Sequence, residues 1–63
     1  MKKYIVKLRS NVTHYYMEHA EHNLLIKCNA QWEPINKTGW SYQQLKNMHY
    51  VRSITEVQTH EQN

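Results

Sequence analysis

Three of the five histidines lie within residues 14–23, together with two of the five acidic residues. Histidine and carboxylate groups are common zinc ligands, and the spacing of His14, His19 and His22 includes intervals found in zinc sites. In a strand, His14 and His19 would point to opposite faces, which leaves His19 and His22 as the metal candidates at a turn. A solvated hairpin end is the interpretation that we favour, with a metal site and a pH-responsive patch as alternatives.

The remaining reactive side chains do not form a catalytic set. Cys28 is the only cysteine, so an internal disulfide is excluded. Because Cys28 alternates with Leu24 and Ile26, it is expected to be a buried and unreactive thiol. The chain has no aspartate, one glycine and too small a volume for an enzymatic pocket. We therefore expect a protein that is not an enzyme and uses no cofactor.

Two tryptophans and a proline fall close together in the middle of the chain. Exposed tryptophan and tyrosine side chains commonly anchor protein interfaces, and a small core leaves some of them uncovered. The candidate residues for binding a protein partner are therefore Trp32, Pro34, Trp40 and Tyr16. A homodimer that hides this surface or pairs edge strands is an alternative form of the same hypothesis.

The charge balance supports nucleic-acid binding as a second hypothesis. Eight basic residues against five acidic residues give a formal net charge of +3, and the basic residues are scattered along the chain. Basic groups beside exposed aromatic rings on a small sheet can bind phosphates and stack bases. The candidates for that role are Lys7, Arg9, Lys27 and Arg52, beside Tyr16, Trp32 and Trp40.

Apolar residues that alternate with polar ones predict three strands in the first half of the chain. Residues 3–9 and 23–30 alternate in this way. Residues 12–18 are rich in β-branched and aromatic side chains, which favours a strand over a helix. A helix in that segment would instead align His14, Glu18 and His22 and strengthen the metal hypothesis.

The second half of the chain begins with irregular structure. Pro34 lacks a backbone N–H and argues against a central strand, and residues 36–39, which hold the only glycine, are expected to form a loop. Residues 1–58 are predicted to form a single domain, followed by a flexible polar tail at residues 59–63.

A short helix and a final strand follow the predicted loop. Ser41 and Gln44 form the S-x-x-Q pattern of a capping box, which predicts a helix over residues 42–48, with Trp40 as a hydrophobic staple. Residues 50–57 are rich in β-branched side chains, and their imperfect alternation indicates a bulge or an edge position.

The order strand, strand, strand, helix, strand predicts an α+β fold, with a mostly antiparallel sheet of three to four strands and one short helix. The N-terminus lacks the apolar core of a signal peptide, and no run approaches the ~18 apolar residues of a membrane span, so we expect a cytoplasmic protein. The predicted core consists of Tyr4, Val6, Leu8, Tyr15, Met17, Leu24, Ile26, Cys28, Trp40, Leu45, Met48, Val51 and Ile54.

The pattern of residues is informative in two segments, which are KKYIVKL at residues 2–8 and SYQQLKNMHYVRSITEV at residues 41–57. They resemble the short reading frames of unknown function found in phages and prophages of Gram-positive bacteria. The resemblance implies a host-interaction or regulatory role and assigns no functional residue. We therefore expect a small cytoplasmic module that binds another protein, with nucleic-acid binding as the alternative.

Overall fold

The structure is a computed structural model that describes residues 2–19, 21 and 23–57. These residues form five strands and one helix. In chain order the elements are β1 (Lys3–Leu8), β2 (Thr13–His19), β3 (Leu24–Cys28), β4 (Pro34–Trp40), α1 (Tyr42–Lys46) and β5 (Val51–Val57).

The five strands form one sheet in the order β4-β3-β2-β1-β5, with every neighbouring pair antiparallel. The first four strands follow one another as a meander, in which each strand pairs with the next. After α1 the chain returns to the opposite side of the sheet, where β5 pairs with β1. β4 and β5 are therefore the two edge strands.

The predicted α+β class, with an antiparallel sheet and one short helix, is confirmed, but the strand count is higher than expected. Residues 36–39 belong to β4 instead of a loop, so four strands precede the helix. Pro34 is compatible with β4 because it is the first residue of an edge strand, where a missing N–H is tolerated. Pairing with β3 imposes the extended conformation on a segment with little intrinsic β propensity.

One face of the sheet is closed by α1 and holds the hydrophobic core. We call it the helix face. Leu45 of α1 is only 1% exposed and packs with Val6, Leu25 and their neighbours on the strands. The buried residues of this cluster are Tyr4, Val6, Tyr16, Leu25, Leu45 and Val51, and Leu8, Met48 and Ile54 pack against them.

The helix begins as the capping-box pattern predicts. The Gln44 backbone N–H donates to Ser41 Oγ at 3.0 Å, and the Ser41 backbone N–H donates to Gln44 Oε1 at 2.9 Å. With five residues, α1 is shorter than the predicted helix over residues 42–48. A helix of this length is unstable alone, so the burial of Leu45 is what holds it on the sheet.

The predicted core was wrong for β2 and partly wrong for β3. Tyr16 and Leu25 are buried on the helix face, whereas the predicted Tyr15, Met17, Leu24 and Ile26 lie on the other face and keep part of their surface exposed. Large apolar or aromatic side chains occur on both faces of these strands, with Tyr16 and Leu25 on the helix face, so alternation alone did not show which face the helix covers.

Trp40 is a further correction to the predicted core, because it is 37% exposed on the edge strand β4. β5 shows both of the features that its imperfect alternation indicated, since it is an edge strand and its register with β1 shifts. No helix among the described residues is long and apolar enough to cross a membrane. The predicted tail at residues 59–63 lies outside the described residues.

Candidate functional site

The second face of the sheet carries a continuous apolar surface that we call the Trp32 face. In the described part of the chain, the only helix packs against the opposite face. The Trp32 face includes Lys3, Ile5, Lys7, Thr13, Tyr15, Met17, His19, Leu24, Ile26, Cys28, Thr55, Val57 and Trp32. Most of its apolar side chains are partly exposed, which is unusual for so many neighbouring apolar groups on a small chain.

Strand register places these side chains in rows that cross the sheet. One row runs through Val57, Lys3, Met17, Ile26 and Gly39. The next row runs through Thr55, Ile5, Tyr15, Cys28 and Pro34. Residues directly opposite one another on antiparallel strands are close enough for their side chains to touch, so each row is a nearly unbroken apolar band with one lysine at the β1 position of the first.

The indole of Trp32 extends this surface above the sheet. Its ring centroid lies 5.3 Å from that of Tyr15, with an interplanar angle of 81°, which is the edge-to-face arrangement that aromatic rings favour. The ammonium group of Lys3 lies 5.3 Å from the centroid of the Trp32 ring, within the range of a cation–π interaction. Two strands and the β3–β4 loop therefore contribute to one aromatic and basic cluster.

The β3–β4 loop holds Trp32 in a conformation that bulky residues rarely adopt. Trp32 has φ 65°, in the left-handed region where a three-residue hairpin loop usually places glycine. Its N–H donates to the carbonyl of Asn29 at 2.9 Å. Asn29 Oδ1 accepts from the backbone N–H groups of Gln31 and Glu33, and Asn29 Nδ2 donates to Glu33 Oε1 at 2.8 Å. Asn29 therefore fixes the loop that directs the indole toward Tyr15.

Gly39 allows β4 to approach the Trp32 face closely. A Cβ at this position would lie 2.8 Å from the Cβ of Leu24 and 3.1 Å from Cδ1 of Ile26. The first distance is shorter than real Cβ atoms show, so any other residue would displace Leu24 or the strand. The only glycine of the chain thus serves close packing of β4 against this part of the surface.

Cys28 lies at the base of the Trp32 face and is only 3% exposed. Its Sγ–H donates to the carbonyl of Ile26 at 3.3 Å. Burial raises the pKa of the Cys28 thiol, because the thiolate would lose its hydration. The thiol is thus buried as predicted.

The cytoplasmic location that we expect from the sequence stays a prediction.

The four candidate residues for protein binding do not lie on one surface. Trp32 is on the Trp32 face, and the exposed Pro34 lies at the β4 end of a row that crosses the same face. Tyr16 is 6% exposed and belongs to the core of the helix face, so it cannot anchor a partner. Trp40 belongs to β4 and pairs with Leu25 of β3 on the helix face, on the opposite side of the sheet from the Trp32 indole.

Ile5, Met17 and Ile26 are the surface residues that the sequence interpretation missed. A signal was present, because Ile5 interrupts the otherwise polar face of β1, which is the pattern of a strand that is apolar on both sides. In β2 and β3 large apolar or aromatic side chains also occur on both faces, and the core residues were predicted on the wrong one.

The four basic candidates are also separated by the fold. Lys7 lies on the Trp32 face, whereas Lys27 pairs with Tyr16 and lies on the helix face. Arg9 and Arg52 lie near each other at the β5 edge, where both line one cleft. A single basic surface made from all four therefore does not form.

The histidine cluster is divided by β2 in the way that a strand requires. His14 pairs with Val6 on the helix face, and His19 pairs with Leu24 on the Trp32 face. Burial and the neighbouring Lys27 ammonium lower the pKa of His14. Among the described residues no group of three His, Cys, Asp or Glu side chains could hold a metal ion. His22 lies outside the described residues, so its proposed meeting with His19 stays a prediction.

Comparison of the chain with protein-family models, with curated proteins and with solved structures finds no match.

Proposed function

We propose that the protein is a small, non-enzymatic binding module whose Trp32 face docks onto another protein. The observation that carries this proposal is the band of partly exposed apolar side chains, Ile5, Met17 and Ile26, beside an indole held in a strained backbone conformation. Strain of this kind costs of order 1–3 kcal/mol and persists where the position of a side chain matters. Tryptophan and methionine are enriched at the cores of protein interfaces.

The charge of the Trp32 face indicates the chemistry of the partner. Lys3 and Lys7 are the charged side chains that β1, β2, β3 and β5 place on this face, whereas Glu18 and Glu56 lie on the helix face near Tyr4. A partner with an apolar centre and carboxylates at its rim would match both the apolar band and the two ammonium groups.

A second copy of the chain fits the Trp32 face less well. The strands of a second copy would present the same two lysines and no carboxylate to pair with them.

The area of the Trp32 face also argues against a permanent dimer. Four strands about 4.8 Å apart, with about five residues each, cover roughly 300–400 Å². Standard interfaces bury about 800 Å² on each partner, so the face suits a reversible complex better than a permanent dimer.

The resemblance to phage and prophage reading frames supports a host protein as the partner, by pattern similarity alone. The absence of an enzymatic role is part of the same proposal. It is supported by the buried state of Cys28 and by its raised thiol pKa, which makes a nucleophilic role unfavourable.

Selection of binding peptides tests the proposal without a known partner. A random displayed peptide library, selected on the immobilised chain, should yield apolar sequences that contain Asp or Glu. Calorimetry should show that Ile26→Thr weakens their binding about tenfold or more, because hot-spot truncations cost about 2 kcal/mol. Lys7→Gln should reduce the salt dependence of the same binding.

The control for this experiment is Val12→Thr, which removes similar apolar surface at an exposed position between β1 and β2. It should leave peptide binding unchanged. Equal binding by the Ile26→Thr and Val12→Thr variants would contradict the proposal. A dimer in sedimentation equilibrium that Ile26→Thr dissociates would assign the face to a second copy instead, and would also overturn it.

A further inference from the structure

We propose that a second site, a cleft between α1 and the outer edge of β5, binds the phosphate backbone of single-stranded nucleic acid. The cleft has a volume of about 480 Å³. Its walls include Arg9, Tyr42, Lys46, Arg52 and Ser53. The cleft lies at the β5 edge, and nucleic-acid binding there does not depend on the protein-binding proposal.

Three cationic side chains converge on the cleft from three parts of the fold. Arg9 follows β1, Lys46 is the last residue of α1, and Arg52 belongs to β5. Arg and Lys side chains are the groups that most often bind nucleic-acid phosphates. The residues that line the cleft include no carboxylate. Glu56 is on the same strand but lies opposite Tyr4, further along β1.

The two guanidinium groups are positioned by neutral acceptors. Arg9 Nε donates to the backbone carbonyl of His49 at 2.9 Å. Arg52 Nη1 lies 3.4 Å from Asn11 Oδ1, which is a long hydrogen bond. Neutral acceptors orient the side chains but leave their positive charge uncompensated. The remaining N–H groups of both guanidiniums are therefore suited to phosphate oxygens.

A register shift between β1 and β5 places Arg52 at this edge. Lys7 pairs with Ser53 and Leu8 pairs with Val51, so Arg52 is the extra residue of a β-bulge. Bulges redirect side chains and occur frequently beside functional sites. Without the bulge, Arg52 would occupy a regular position in the ladder with β1.

An aromatic ring beside the cations favours a nucleotide over a simple anion. Tyr42 is 41% exposed, and its ring is held 5.6 Å from the ring of Tyr4 at 54°. Base stacking on such rings is the usual partner of phosphate binding in single-strand recognition. The cleft volume also falls in the range of about 300–1,000 Å³ that suits small organic ligands, and one inorganic phosphate would leave most of it empty. A base can reach Tyr42 only from a strand whose bases are unpaired.

Fluorescence anisotropy with labelled oligo(dT) and oligo(rU) of about twelve nucleotides tests the inference. The native chain should bind at about 50 mM salt and lose affinity by about 200 mM salt. Arg52→Gln and Lys46→Gln should each weaken binding roughly fivefold and lower the salt slope by about 0.7, the value for one lost contact with a single strand. Tyr42→Ala should weaken binding with the salt slope unchanged.

Lys2→Gln is the matched control, because it removes the same charge at the other end of β1, roughly 23 Å from Arg9. It should leave both the affinity and the salt slope as they are. Arg52 and Lys46 are exposed, so circular dichroism of both variants should match that of the native chain.

Four outcomes would overturn the inference. The first is no binding of either oligonucleotide at low salt. The second is equal weakening by Lys2→Gln and Arg52→Gln, which would indicate a diffuse charge effect. The third is displacement of the oligonucleotide by inorganic phosphate or adenosine monophosphate at matched phosphate concentration, which would assign the cleft to a free phosphate compound. The fourth is that a duplex of equal length competes for the cleft as strongly as the single strand does.

Discussion

The two faces of the sheet are made by the same strands but differ in how completely their apolar side chains are buried. On the helix face, Val6, Leu25 and Leu45 are 1–2% exposed. On the Trp32 face, Ile5, Met17 and Ile26 remain partly exposed. A helix of five residues is therefore sufficient to complete one core. Among the described residues, α1 closes one of the two apolar faces and leaves the other partly exposed.

Folding alone does not explain the apolar character of the Trp32 face. A domain of this size has a stability of roughly 3–5 kcal/mol, which depends on a small core. Side chains on the Trp32 face stabilise the sheet through cross-strand contacts, but the part of their surface that stays exposed adds nothing to that stability. Polar β-branched residues such as threonine would form a sheet as well, which is why we propose a binding role for the apolar residues.

The largest expected difference between the faces is in core truncation. Leu45→Ala should lower the free energy of unfolding by about 2–5 kcal/mol, because it removes a fully buried side chain and the main contact of α1. Since this equals much of the total stability, the variant should be largely unfolded at 37 °C. Met17→Ala on the Trp32 face should cost at most about 1 kcal/mol. Urea denaturation followed by circular dichroism measures both values.

A similar cost for Leu45→Ala and Met17→Ala would break the comparison, because it would show that the Trp32 face is a second closed core. The m-value provides the control. An unchanged m-value indicates that both variants expose the same surface on unfolding, so that their midpoints can be compared directly.

Local sequence patterns predicted part of the helix face, namely the core residues of β1 and the start of α1. Alternation placed Tyr4 and Val6 in the core, and the Ser41–Gln44 pattern gave the start of α1. These features depend on neighbouring residues alone, through side-chain periodicity and a local pair of hydrogen bonds.

The Trp32 face could be predicted only in part, because it depends on long-range pairing. β4 forms from a segment of low β propensity because it pairs with β3. The face of β2 that is buried depends on its register with β1, which places Tyr16 opposite Tyr4. Trp32 at a position that usually holds glycine has no sequence signal, although Asn29 is a typical residue for the turn before it.

A smaller effect on stability is expected in the strained β3–β4 loop that supports the Trp32 face. Trp32→Ala and Trp32→Gly both remove the contact with Tyr15 and Lys3, but only glycine relieves the left-handed backbone. The glycine variant should therefore be more stable than the alanine variant by about 1 kcal/mol, against the usual order in strands and helices. Thermal unfolding of the two variants measures the difference. An alanine variant of equal or greater stability would mean that the loop does not impose this conformation in solution.

The smallest expected effect is a pH dependence that originates on the helix face. His14 has a pKa below its usual 6.5 because it is partly buried and, to a lesser extent, because it lies near Lys27. The unfolded chain therefore binds a proton at His14 before the folded chain does, so stability should decrease as pH falls below about 6.5 and level off below the folded pKa. His14→Gln should remove part of this decrease, and Lys27→Gln a smaller part. His49→Gln, at an exposed position, is the matched control and should retain the full decrease. Unfolding midpoints of the native chain and the variants, measured between about pH 7.5 and 5, test this dependence. An identical pH profile for the native chain and His14→Gln would show that the partial burial of His14 has no energetic consequence.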